Sequence, residues 1–114
     1  MLHITLILLL IVLCIYLYYK NNMIKIIRFY RPTCMYCRKT QREWNLFKNK
    51  CNIMIECMDI NLDEASNNGF HAAMIQNFEI KSVPTIVAVL RNGMRIQYEG
   101  SRSTEDLLKW SSGL

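Results

Sequence analysis

The sequence predicts an α/β domain: a minimal four-stranded mixed sheet flanked by about three helices, preceded by one transmembrane helix. Three observations lead there. Between residues 23 and 110, apolar runs of strand length alternate with stretches of helical period, in the order strand, helix, strand, helix, strand, strand, helix. Asn92-Gly93 separates the last two strand-like runs and signals a hairpin. Leu2–Tyr19 is apolar throughout except for His3 and Thr5. Parallel strands joined by helices and followed by a hairpin make a mixed sheet with helices on its faces.

The apolar stretch comes first. At about 1.5 Å per residue it nearly crosses a hydrocarbon core about 30 Å thick. It has no repeating polar face, which disfavours an amphipathic surface helix. A cleaved signal peptide is the rival reading, but no Lys or Arg precedes the run and Tyr16-Leu17-Tyr18-Tyr19 is a poor cleavage site. Aromatic residues at that end suit a membrane interface. Residues 1–22 are therefore read as an anchor with a short linker, Lys20–Asn22, and residues 23–114 as the domain.

Within the domain, Met23–Tyr30 is the first strand. Arg31-Pro32-Thr33 is a turn, and Cys34–Lys48 is an amphipathic helix opened by Cys34-Met35-Tyr36-Cys37. After the turn Asn49–Asn52, Ile53–Ile60 has the apolar, β-rich look of a buried strand. Asn61–Gly69 is polar, part helix or loop. Phe70–Phe78 is a helix, with Phe70, Met74 and Phe78 spaced by fours. Ser82-Val83-Pro84 breaks the pattern. Thr85–Leu90 and Met94–Glu99 are the hairpin strands. Ser103–Trp110 is the last helix, and Ser103 with Asp106 is a variant capping box.

The net charge of +5 is unevenly spread: residues up to Lys50 carry nine bases and one acid, and the remainder five bases and eight acids. By the positive-inside rule, Lys20 and Lys25 put the C-terminal domain in the cytosol. The basic region suits acidic lipid headgroups, acidic substrates or a thiolate. It carries no recognised nucleic-acid motif, so no nucleic-acid partner is expected.

A C-x-x-C that opens a helix after a strand is the layout a dithiol–disulfide switch needs. The helix N-terminus stabilises a thiolate on the first cysteine, and the two-residue spacer brings the second sulfur round one turn. The other cysteines do not form a secreted-type framework. Cys14 lies in the apolar stretch, and Cys51 and Cys57 lack the second C-x-x-C that a zinc site would use, so no metal is expected. Cys57 reads as a small buried hydrophobe, whereas Cys51 sits in a polar turn.

Three segments resemble the thioredoxin superfamily. Phe29-Tyr30-x-Pro32-x-Cys34-x-x-Cys37 is similar to the active-site segment of protein disulfide isomerase domains. Phe78-x-Ile80-x-Ser82-Val83-Pro84-Thr85 resembles the cis-proline segment. Asn92-Gly93, Tyr98-x-Gly100-x-Arg102 and Leu107 resemble the closing hairpin and helix. The resemblance implies a thioredoxin-like fold, with Cys34 as nucleophile and Cys37 as resolving thiol. It implies a cis Pro84 beside them, leaving Val83's backbone free to pair with an extended substrate; Tyr36 is added to that substrate-binding set. Thr33 stands where a Trp is usual, and Met35-Tyr36 is neither Gly-Pro nor Gly-His. Tyr36 is similar to the spacer of glutaredoxins. Arg28 occupies the strand position of a buried acid, leaving water or Asp59 to take the proton of Cys37. The family's usual first strand and helix are absent, and the closing segment lacks the double glycine of a glutathione site.

The function this predicts is a membrane-anchored thiol–disulfide oxidoreductase without organic cofactor or metal. Its partners would be protein thiols or disulfides near a lipid bilayer and a redox protein that recycles the C-x-x-C. Two other classes stay open: a membrane-tethered binding module on the same scaffold, and a glutaredoxin-like glutathione or iron–sulfur protein. The cytosol is reducing, so a reductase fits there, as does a viral or parasite component that makes disulfides in the cytosol. A luminal or secreted domain follows instead if the N-terminal segment is cleaved.

Overall fold

The structure is a computed structural model that describes residues 1–114, the side chain of Ser66 excepted. Helix α1, Leu2–Asn22, buries none of its residues and is long and apolar enough to cross a membrane. The chain passes through Met23 directly into β1, Ile24–Tyr30. This strand is the centre of the sheet. It pairs in parallel with β2, Ile55–Asn61, placing Ile24 opposite Ile55 and Arg28 opposite Asp59. On its other side it pairs antiparallel with β3, Thr85–Val89, placing Phe29 opposite Thr85. A fourth strand, β4, Arg95–Gln97, pairs with β3, so the order is β2-β1-β3-β4. Gly93 makes the hairpin turn at φ +85°, a conformation that costs glycine little.

Both faces of the sheet are covered, which explains why Ile26–Phe29 is buried without a break. Successive side chains point to opposite faces. Ile26 joins Trp44, Phe47, Ile86, Ala88, Tyr98 and Leu107 on one face, beneath α3 (Gln41–Lys50) and α5 (Thr104–Ser112). Ile27 and Phe29 join Ile60 and Val87 on the other, where α4 (Gly69–Phe78) contributes Met74, Ile75 and Phe78. Thr104 at the start of α5 donates its N–H to the Glu43 carboxylate at 2.6 Å and its hydroxyl to the Glu43 carbonyl at 2.9 Å, which ties the two helices of the first face together.

The predicted fold class holds, with four helices on the sheet rather than about three. The extra helix arises because Cys34–Lys48 is not continuous: α2, Met35–Lys39, breaks at Thr40 before α3. Two contacts hold the break, one tertiary and one local: Arg28 Nη2 donates to the Cys37 carbonyl at 2.8 Å, and the Thr40 hydroxyl donates to the Tyr36 carbonyl at 2.8 Å. Strand β2 starts at Ile55 instead of Ile53 because Asn52 closes a turn, accepting the Met54 N–H on Oδ1 and the Ile55 N–H on its carbonyl. A short 3-10 turn, Ala65–Asn67, occupies the polar stretch. Asn68 caps α4 through Oδ1, and Ser103 caps α5 by accepting the Asp106 N–H at 3.2 Å.

Gly100 is set by a close approach. A Cβ there would lie 2.5 Å from Tyr98 Oη and 2.7 Å from Cζ. Tyr98 cannot yield freely, because its ring is buried against Trp110 and its hydroxyl donates to the Ser101 carbonyl. Gly100→Ala is expected to lower stability by about 1–3 kcal/mol, read as a reduced urea midpoint.

Candidate active site

The site is built at the C-terminal end of β1. After Tyr30 the chain turns, the Cys34 N–H donates to the Arg31 carbonyl at 3.1 Å, and Cys34 becomes the N-cap of α2. Its Sγ accepts the Cys37 N–H at 3.1 Å. The sulfur thus takes the place usually filled by a capping oxygen, and the bond strengthens when the sulfur is negative. Arg31 holds the turn down through an ion pair with Asp63 at 2.6 Å. Cys34 is half-buried, while Cys37 behind it is only 1% exposed.

A second segment closes the site from across the sheet. The Val83–Pro84 peptide bond is cis, as the resemblance implies. The Val83 carbonyl lies 3.9 Å from Cys34 Sγ, and Pro84 is buried beside it. Arg102 Nη2 donates to the Pro84 carbonyl at 3.1 Å and so joins the closing segment to the loop. Met35 and Tyr36 stand on the rim with exposed side chains.

Arg28 lies beneath the cysteines. It is 1% exposed, donates to the Cys37 carbonyl at 2.8 Å and to Gln41 Oε1 at 3.0 Å, and lies 5.1 Å from the Tyr30 ring centroid. Burial pulls its pKa down; the charges on Cys37, Asp59, Tyr30 and Cys34 act the other way. Arginine stays charged at neutral pH, so the site carries a permanent buried cation.

The two thiols are driven apart. For Cys34, burial opposes ionisation, but hydrogen bonds from the Cys37 side chain and from the Cys37 and Tyr36 backbone, with the Arg28 charge, hold its pKa below the ordinary thiol range. For Cys37, burial and the hydrogen bond it makes to Cys34 push the thiol up. The result is a more exposed sulfur that ionises more readily than an ordinary thiol and a shielded sulfur that ionises less readily.

Asp59, the alternative proton acceptor, is otherwise engaged. Trp44 Nε1 donates to Oδ1, and Lys48 Nζ holds Oδ2 at 2.7 Å. Among the described residues it makes no hydrogen bond to Cys37, and it reaches the site only as a charge opposite Arg28. Gln41 is the supporting residue that the sequence alone did not single out. A signal existed: an Arg in a buried strand requires acceptors, and a polar residue on the following helix can supply one.

The family model for thioredoxin matches residues 18–112. The chain belongs to the thioredoxin family. It is 27% identical over 88 residues to a thioredoxin domain-containing protein of Theileria parva, covering 76% of this chain and 37% of that protein. It is 31% identical over 86 residues to bloodstream-specific protein 2 of Trypanosoma brucei brucei, covering 75% and 16%. It therefore spans well under half of these relatives. Among solved structures, the J-Trx1 fragment of ERdj5 superposes with a TM-score of 0.68 at 17% identity, over 82% of this chain and 43% of that one. Thioredoxin-2, a component of malaria parasite protein secretion machinery, gives 0.67 at 19% identity, over 82% and 84%. At these identities the likeness is one of fold. Within this thioredoxin fold, Arg28 and Gln41 support the C-x-x-C from below.

Proposed function

We propose that this thioredoxin-family chain is a membrane-anchored thiol–disulfide oxidoreductase acting on protein disulfides. The observation that carries the reading is Cys34 placed as a half-buried N-cap sulfur, with Cys37 shielded behind it and the Val83–Pro84 loop alongside. In the reducing direction, the Cys34 thiolate attacks one sulfur of a substrate disulfide. The substrate S–S bond breaks, the other substrate sulfur leaves as a thiolate, and a mixed disulfide remains on Cys34. Cys37 then loses its proton and attacks Cys34 Sγ, releasing the second substrate thiol and closing the Cys34–Cys37 disulfide. Two electrons have passed to the substrate. A redox partner restores the dithiol, and the same steps run in reverse oxidise a substrate. Arg28 cannot accept the Cys37 proton, and no carboxylate is bonded to that thiol among the described residues, so water or the leaving thiolate takes it.

Substrate is bound, in this reading, along the Val83 backbone as an added extended strand, with Met35 and Tyr36 covering its side chains. Helix α1 holds the domain at the bilayer, and Lys20 and Lys25 favour a cytosolic face. Cys37→Ser tests the mechanism. The variant should accumulate mixed disulfides with its protein substrates, visible as reductant-sensitive bands of higher mass. If it yields none while the unmodified chain reduces insulin, Cys37 is not the resolving thiol. If the unmodified chain leaves insulin intact, the proposed activity fails.

A further inference from the structure

Cys51 and Cys57 lie outside this site. Cys51 ends α3, donating its N–H to the Phe47 carbonyl at 2.9 Å and its thiol to the Lys48 carbonyl at 3.5 Å. Cys57 stands in β2 opposite Ile26. Both are half-buried against the cluster of Trp44 and Phe47, and their sulfurs are 3.8 Å apart. A disulfide has an S–S bond of about 2.05 Å, so a shift of about 2 Å closes it. The turn at Asn52 brings the two residues together, and α3 packing on β2 aligns them.

We propose that Cys51 and Cys57 are a second dithiol pair, closing by exchange with a low-molecular-weight disulfide of the glutathione class into a latch between α3 and β2. Cys51 attacks the external disulfide, whose S–S bond breaks to release one thiol and leave a mixed disulfide. Cys57 loses its proton and attacks Cys51 Sγ, releasing the second thiol. Two protein thiols are oxidised and one external disulfide is reduced. Burial, with the neighbouring Cys51, pushes the Cys57 thiol up to about 12, so the first attack falls to Cys51. Cys51 lies at the end of α3 remote from Cys37, up to about 20 Å away along α2 and α3. The latch fastens the end of α3 remote from Gln41 and Arg28.

The test uses the full chain in detergent micelles, as Cys34→Ser, Cys37→Ser and also unmodified. Each is incubated with glutathione disulfide, alkylated after denaturation and digested with trypsin. The peptide of residues 51–81 should carry no alkyl group and be lighter than the dithiol by two hydrogens. Adding Cys57→Ser should replace that mass with glutathione on Cys51. Two alkylated thiols, or persistent glutathione adducts without ring closure, would overturn the pair. Because the doubly substituted chain lacks the C-x-x-C, the result is independent of the activity proposed above, and the unmodified chain guards against a folding defect of the variant.

Discussion

Replacing Cys34 with serine should lower insulin-disulfide reduction on the order of a thousandfold or more, because the attacking thiolate is lost. The fold should survive. A serine oxygen caps the Cys37 N–H as the sulfur does, so circular dichroism and the urea midpoint should stay close to those of the unmodified chain. Turnover that persists in a folded Cys34→Ser protein would remove the C-x-x-C from the mechanism. The same sulfur sets the pH dependence. Its pKa lies below the ordinary thiol range, so alkylation of Cys34 by iodoacetamide should reach half its plateau rate at a lower pH than a free cysteine does. The sign carries into stability: an acid depressed by folding stabilises the reduced protein above the unfolded thiol's pKa and loses that contribution as pH falls through the folded value.

Arg28→Met should weaken both the thiolate and the local structure. Removing the buried cation takes away one of the influences holding the Cys34 pKa down, and neutral-pH alkylation should slow by up to about tenfold for each unit regained. Each unit by which that pKa lies below ambient pH stabilises the dithiol by about 1.4 kcal/mol, equivalent to about 30 mV. The variant should therefore be the weaker oxidant when equilibrated against glutathione. Arg28→Lys keeps a charge and should restore part of the shift. The Cys37 carbonyl and Gln41 Oε1 lose their donor in Arg28→Met; one buried acceptor left unpaired costs about 1–3 kcal/mol, offset in part by relief of the desolvated guanidinium. If the alkylation profile and the potential both stay where they are, the Arg28 charge is not acting on the sulfurs.

What could be read from the sequence was whatever short-range pattern determines. The strand Met23–Tyr30, the Asn92-Gly93 turn and the Ser103–Asp106 cap carry their conformation in adjacent residues, and the structure has a strand over Ile24–Tyr30, the turn and the cap; the cis Val83–Pro84 bond came from the family resemblance instead. The break at Thr40 is different. Part of what holds it is Arg28 reaching the Cys37 carbonyl, a contact that exists only once β1 and α2 are packed. Gln41 was hidden for the same reason, as was the capture of Asp59 by Trp44 and Lys48. Cys51 and Cys57 gave no motif because their proximity is a property of α3 resting on β2, not of their spacing.

One residue, Met23, separates the apolar helix from strand β1, which ends at the loop that delivers Cys34. With α1 in a bilayer, this strand sets a standoff. Its seven residues, at about 3.3 Å each, allow the reactive sulfur a height of up to about 23 Å above the headgroups. A disulfide embedded at the lipid surface would lie below that height, whereas one carried on a domain or stalk of a neighbouring membrane protein on the same side would meet it. In the proposed membrane-anchored role, the chain and a membrane-borne substrate would search in two dimensions, and geometry would select partners before any contact at the rim does.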